Sequence, residues 1–317
     1  MLQQTKVKTV IPYFNRWLNK YPTIESVALS NLEELLKLWE GLGYYSRCVN
    51  FYKSCIILYS KYNSDLPEEQ NDFLALPGVG KYISAAVYSI ARNVAIPAID
   101  SNVIRVLSRI LIIRNLTPYN KKRIYRTVNQ FINETRPGDI NQALMDLGSS
   151  ICTPIKTECS ICPISQFCKA SKTLSPIRYP IKKPRRSKLL KHFIAGLIWN
   201  ENSFLIVKRP INKMLGGLWE FPNIEVDINS ADHMLLFNYI KNTFNIQIFI
   251  TNKITTINHS YSHFDISLTL YNSNILKSGI INTIDHCWIE PKDIDNYPFS
   301  KSNHKLFNIL NTNGWNN

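Results

Sequence analysis

Four cysteines crowd into residues 152–168: Cys152, Cys159, Cys162 and Cys168, in the spacing C-x6-C-x2-C-x5-C. Thiolates at this density can surround one metal centre, and spacing alone leaves both zinc and an iron–sulfur cluster open. Cys48, Cys55 and Cys287 are scattered, and an odd total of 7 does not read as a disulfide framework. A second group of residues suits an anion. In Leu76-Pro77-Gly78-Val79-Gly80-Lys81 two glycines let backbone come close to a ligand. Their amides then face outward where a helix begins, which is a phosphate-binding arrangement. Asp100 opens the helix that follows. Taken locally, it is either a plain N-cap or a reactive carboxylate.

These groups need helices to position them. Val10, Phe14, Trp17 and Leu18 follow helical spacing, as do Leu32, Leu35, Leu36 and Trp39. Pro67 and Glu68-Glu69 suit a helix start ahead of the glycines. Ile83, Ala86, Val87 and Ile90 should line one face of the helix after them. Residues 169–191 carry nine Lys/Arg, three Pro and no acid. Such a stretch buries little and reads as a basic linker, either a solvated tether or a phosphate contact. Beyond it the texture is mixed. FIAGLIWN and SFLIVKRP look like a β-hairpin, 230–244 like a helix capped by Ser230, TTINHSYSHFDISLTLY like an alternating strand, and 302–311 like a last helix.

The chain has 317 residues, with 37 Lys+Arg against 23 Asp+Glu and a net charge of +14. That balance points to a polyanionic partner, nucleic acid first. No apolar run approaches the ~18 residues of a membrane span. The opening MLQQTKVKTVIPYF lacks signal-peptide shape, so a cytoplasmic protein is expected.

Leu-Pro-Gly-Val-Gly-Lys between two amphipathic helices, with Asp100 twenty residues after Gly80, resembles the endonuclease III superfamily of helix–hairpin–helix base-excision glycosylases. The resemblance puts Asp100 on that superfamily's essential aspartate and the four cysteines on its [4Fe–4S] loop. Bifunctional members carry a lysine two residues after the second glycine. Here that residue is Tyr82, while Lys81 is one step earlier, ~100° round the helix. The chain therefore resembles monofunctional members, which cut the base–sugar bond without a Schiff base.

Three further segments narrow the resemblance to MutY-type adenine glycosylases, which remove adenine mispaired with 8-oxoguanine. Met-Leu-Gln-Gln-Thr implies that Gln4 fills the gap left in the duplex. Leu38–Arg47 implies an aromatic wedge at Tyr44, and a wedge offsets the unstacking that base flipping requires. His259-Ser260-Tyr261-Ser262-His263-Phe264 matches the loop that reads 8-oxoguanine, with Tyr261, Ser262 and His263 as its readers. The implied layout is an all-α glycosylase domain over 1–170, a linker over 171–191 and an α/β Nudix-like domain over 192–317. After GGLWEFP the chain lacks the glutamate-rich box of true Nudix hydrolases, so triphosphate hydrolysis is not expected.

The resemblance implies a bacterial monomer acting on double-stranded DNA with adenine opposite 8-oxoguanine or guanine. Asp100 would stabilise the sugar cation, with Tyr82 and Asn102 near the sugar; Gly78, Gly80 and Lys81 would hold phosphate. The family's other catalytic residue, a glutamate, falls two residues before Met1, so the 317 residues are expected to bind the lesion yet cleave slowly. The rival readings are an endonuclease III-like bifunctional glycosylase and a non-catalytic lesion-binding remnant.

Overall fold

The computed structural model describes residues 1–132, 136–181, 187–227, 233–277 and 285–315. Ser230, the expected cap, lies outside them, as do 182–186 of the expected linker. Contacts divide the chain into two compact units, Met1–Asp65 with Arg186–Asn317, and Leu66–Arg185.

The first unit opens with four helices, α1 (Val7–Lys20), α2 (Ile24–Ala28), α3 (Leu32–Trp39) and α4 (Ser46–Tyr62). Thr23 and Ser26 form a reciprocal capping box on α2. Trp17, Leu35, Leu36 and Trp39 are buried together with Leu218 from the C-terminal part of the unit. On α1 the expected apolar face divides: Val10 and Trp17 are buried, whereas Phe14 and Leu18 stay 49% and 41% exposed. The core accepts the Val10–Trp17 line, two turns apart, and no described residue covers the other.

The second unit holds α5 (Gln70–Leu74), α6 (Lys81–Ala91), α7 (Ser101–Ile110), α8 (Pro118–Phe131) and α9 (Pro137–Ser150). Helix α6 departs from the expected burial. Its buried residues are Ser84, Ala85, Tyr88 and Ser89, while Ile83, Ala86 and Val87 are half-buried and Ile90 is exposed. Small and polar residues win here because their hydrogen bonds are met. Gln70 donates to Ser84 Oγ at 3.0 Å, and Tyr88 donates to the Pro67 carbonyl at 2.6 Å. Asn141 of α9 donates to Ser89 Oγ at 2.9 Å. Close approach of α9 requires Gly138, where a Cβ would sit 2.7 Å from the Ser89 carbonyl. The segment after α9 folds into short 3-10 turns, and Tyr179, within the expected linker, is buried with its carbonyl accepting from Arg109 at 3.2 Å.

The first unit resumes with β1 (Leu189–Asn200), β2 (Ser203–Lys208), β3 (Trp219–Glu220), β4 (Asn223–Val226), α10 (His233–Phe244), β5 (Gln247–Ser260), β6 (Phe264–Lys277), β7 (His286–Ile289) and α11 (Lys301–Asn313). β1 thus begins at Leu189, inside the span expected as linker. β1 and β2 form the expected hairpin, pairing Trp199 with Phe204 and Asn200 with Ser203. The mixed sheet runs β3-β2-β1-β6-β5, with β4 on β1, β7 on β2, and β1 parallel to β6. The stretch expected as one alternating strand is instead a hairpin: β5 and β6 run antiparallel and Tyr261-Ser262-His263 turn between them. Strand alternation continues on both sides, so periodicity alone could not show the break. α10 packs on one face of the sheet around Leu236, Ile240 and Phe244, and α11 on the other around Leu306, Phe307 and Leu310.

Candidate active site and lesion-reading loop

The hairpin between α5 and α6 is a tight turn, closed by Val79 N–H donating to the Leu76 carbonyl at 3.1 Å. Gly78 has φ +77°, a conformation that a side chain would strain. Gly80 caps α6 in extended backbone, and a Cβ there would point into open space. The first-turn amides of α6 have no partner within the helix, and Lys81 is exposed beside them. Such features suit an anion.

Asp100 N-caps α7, as the local reading allows: its Oδ1 accepts from Val103 N at 2.7 Å. Its Oδ2 accepts from Asn102 Nδ2 at 2.8 Å. The carboxylate is therefore held at both oxygens. Asn141, fully buried, fastens the strand that leads to it. Asn141 donates to the Ile96 carbonyl at 2.9 Å and accepts from Ala98 N at 2.9 Å. Tyr82 lies in the first turn of α6, half-buried, with its hydroxyl on Met145 Sδ at 3.2 Å. Burial, and then the neighbouring Asp100 charge, push its phenol above the ordinary value. Asp100 thus lies within electrostatic range of Tyr82.

Two arginines that sequence reasoning did not single out continue this arrangement along α7. Arg105 Nη2 donates to Asn102 Oδ1 at 2.8 Å and to the Gly148 carbonyl at 2.5 Å, and Nε donates to the Cys152 carbonyl at 2.9 Å. Arg109, 2% exposed, donates through Nη1 to the same carbonyl at 2.9 Å and to Cys152 Sγ at 3.0 Å. Asn102, Arg105 and Arg109 sit at helical steps on one side of α7, and with Asp100 at its N-cap an unbroken run of hydrogen bonds joins Asp100 to Cys152. Gly148 permits it: a Cβ there would lie 2.7 Å from Asn102 Cβ.

Cys152, Cys159, Cys162 and Cys168 line one small cavity of about 20 Å3 together with Arg109. Burial, with the other three thiols, raises the Cys162 thiol against the lowering effect of the Ile164 backbone. Among the described residues no three His, Cys, Asp or Glu side chains are grouped as a single metal ion requires. Within this loop Lys156 is paired with Glu158 at 2.7 Å, while Lys169 is exposed.

In the first unit, Arg47 brings two of the expected sites together. Its guanidinium donates to the Met1 and Gln3 carbonyls, to Thr5 Oγ1 at 3.2 Å and to the Gly43 carbonyl at 3.0 Å. Gln4 and Tyr44, flanking these contacts, both have positive φ, +55° and +49°. Such backbone costs roughly 1–3 kcal/mol per residue and gathers at functional sites. Tyr44 Oη and Ser262 Oγ are 3.0 Å apart, so the expected wedge and the expected reading loop meet. They border a cavity of about 350 Å3 that His259, Tyr261, His263, Lys213 and Lys301 also line. The loop is held from below. Tyr261 Oη contacts Ser302 Oγ at 2.9 Å, Tyr261 N donates to the Phe264 carbonyl at 2.9 Å, and Lys188 donates to Ser260 Oγ at 2.5 Å and to the Tyr261 carbonyl.

The family matches cut across these two units. Residues 1–134 match the HhH-GPD superfamily of base excision DNA repair proteins, and 194–308 match the NUDIX domain. An adenine DNA glycosylase of Buchnera aphidicola subsp. Schizaphis graminum is 33% identical over 98% of this chain and 89% of its own length. The chain belongs to the adenine DNA glycosylase family. Another member, from Schizosaccharomyces pombe, is 31% identical over 93% of this chain and 75% of its own. Among solved structures, a thermostable thymine-DNA glycosylase aligns with TM-score 0.48 and 26% identity, covering 54% of this chain and 79% of that one. Membership of this family brings the helix–hairpin–helix and Nudix-like folds into one chain, and with them a fold that typically carries an iron–sulfur centre.

Proposed function

We propose that this adenine glycosylase removes adenine mispaired with 8-oxoguanine, or with guanine, by hydrolysing the base–sugar bond in duplex DNA. The observation that carries the reading is the convergence in the second unit of three things: open hairpin amides at α6, Tyr82 behind them, and Asp100 held at both oxygens by α7. The hairpin with Gly78, Gly80 and Lys81 holds phosphate. The extruded nucleotide then meets Asp100, whose fixed charge faces the cation that develops on the sugar as the C1′–N9 bond breaks. The bonding pair leaves with the purine, which gains a proton, and water adds to C1′. Val103 N and Asn102 orient the carboxylate in advance, which is where most of the rate advantage of a fixed charge comes from. Tyr82 has no amine to offer, so the reaction is monofunctional.

In the first unit, Gln4 and Tyr44 occupy the gap in the duplex, while Tyr261, Ser262 and His263 read the oxidised base.

Cys152, Cys159, Cys162 and Cys168 would hold a [4Fe–4S] cluster. Four thiols facing one cavity, with Arg109 donating to Cys152 Sγ, fit such a centre. A single zinc ion instead draws four thiolates to about 2.3 Å from one point. Bound there, the cluster keeps the basic loop in shape. The domain layout proposed is a glycosylase domain through 170, a linker and a Nudix-like domain that starts with β1 at Leu189.

The deciding test is single-turnover release of adenine from duplexes with adenine opposite 8-oxoguanine, guanine or thymine. Release confined to the first two, lost on Asp100→Asn while duplex binding persists, is the expected result. Borohydride trapping of an enzyme–DNA adduct would instead favour a bifunctional enzyme. Stoichiometric zinc without iron in anaerobically purified protein would overturn the cluster assignment.

A further inference from the structure

Helix α8 has a cationic outer face that none of the chemistry above uses. Ile124 and Val128 bury its inner side against α7. At 100° per residue, Tyr119, Lys122, Arg123, Arg126 and Asn129 point the opposite way. All of them are exposed, Tyr119 by 73%. The helix carries Lys121, Lys122, Arg123 and Arg126 and no acid along its length. Among the described residues no carboxylate pairs with any of the four.

That distribution costs stability. Lys122 and Arg126 are four apart and Arg123 and Arg126 three apart, spacings at which like charges repel by about 0.2–0.5 kcal/mol per pair. The cations also crowd the N-terminal half, where the helix dipole disfavours them. An exposed helix tolerates this readily when its occupant is a polyanion. Tyrosine among the cations is the further mark of a nucleic-acid face, because phenols reach phosphate oxygens and sugars.

We propose that the outer face of α8, centred on Lys122, Arg123 and Arg126, is a second phosphate-binding surface that engages the DNA backbone apart from the hairpin at Gly78–Gly80. The inference rests on the DNA-repair reading above. Helix α8 packs on α7, while the hairpin lies between α5 and α6. The two surfaces therefore hold different phosphates, and α8 supplies affinity and registration without reading sequence or lesion.

The test is the salt dependence of duplex binding by a K122Q/R123Q/R126Q variant, glutamine being a good helix former. Each lost phosphate contact lowers the slope of log K against log salt by about 0.9, so the triple variant should lose up to ~2.7. The loss should be the same for 8-oxoguanine and guanine duplexes, leaving their affinity ratio unchanged. A control variant, K241Q/K253Q/K277Q, removes three exposed cations from the other unit. It should change the slope far less. An unchanged slope in the α8 variant overturns the proposal, as does an equal fall in both variants, which would mean that only the general field matters. Failure of the unsubstituted chain to bind duplex at low salt would instead sink the DNA-repair reading, and so separates the two.

Discussion

Replacing Arg105 by Met tests whether the hydrogen-bonded run along α7 serves the chemistry or only the fold. Methionine keeps the length and helix propensity but removes every donor. Two acceptors lose their partner: Asn102 Oδ1 and the Gly148 carbonyl, which lies in the last turn of α9 where no helical amide reaches it. The Cys152 carbonyl keeps Arg109. An orphaned buried acceptor costs about 1–3 kcal/mol, so the change should destabilise the unit by roughly 2–4 kcal/mol. For a unit of this size that lowers the unfolding temperature by on the order of 10 °C.

The functional effect should be separable from that loss. Without Arg105, Asn102 can turn, and Asp100 Oδ2 loses its 2.8 Å donor while Oδ1 keeps Val103. Misplacement of a reacting group by about 1 Å costs up to about 10²-fold in rate. A partial release of one oxygen should therefore slow single-turnover adenine release about 10-fold, measured well below the unfolding transition and normalised to iron content, with duplex affinity unchanged. Arg105→Lys, which keeps the charge and can reach one acceptor at a time, should fall between. If the Met variant unfolds early yet each folded molecule releases adenine at the original rate, Arg105 is a helix cap only, and the claim that α7 orients Asp100 from its far end fails.

Three more outcomes follow from the same geometry. Gly148→Ala pushes a Cβ to 2.7 Å from Asn102 Cβ, so it should slow adenine release and lower the unfolding temperature by several degrees even though alanine favours helix. Tyr44→Phe and Ser262→Ala each remove one half of a 3.0 Å hydrogen bond; each should reduce the preference for 8-oxoguanine over guanine duplexes by about tenfold, roughly 1.4 kcal/mol, in competition binding. His259 is held below its ordinary pKa by burial and then by Lys305 and Lys301. The unfolded chain thus takes up the proton more readily, and stability present above about pH 6.5 is lost as pH falls through the folded value. Chemical denaturation from pH 8 to 5 should show this loss, and His259→Asn should reduce it.

The residues proposed to bear chemistry were legible because their signals are local. Four cysteines in a short span, two glycines before an amphipathic run and an aspartate at a helix start can be read without knowing what they touch. The turn at Tyr261-Ser262-His263 was legible only through resemblance, since alternation runs through it on both sides. The buried face of α6 was misread because apolar count pointed to Ile83, Val87 and Ile90, whereas Ser84 and Ser89 find partners in Gln70 and Asn141 that lie far along the chain. Arg47, Arg105 and Arg109 were invisible as organisers for the same reason: each bonds mainly to backbone carbonyls, and a carbonyl has no sequence signature.

Those carbonyl bonds also explain why lysine would serve poorly at these positions. Arg105 and Arg109 reach four acceptors each, drawn from helix ends, the cysteine loop, the segment beyond it and a side chain. Only a planar fork with several fixed donors can satisfy such a set at once; an ammonium offers a point charge that must be aimed by a flexible stem. Because α7 advances one turn between Asn102 and Arg105 and another to Arg109, the same rigid helix that presents Asp100 also grips the first cysteine of the loop. The run of bonds predicts that a disturbance at Cys152, such as Cys152→Ser, slows adenine release without a change of fold, by loss of a donor at one bond after another along a single helix.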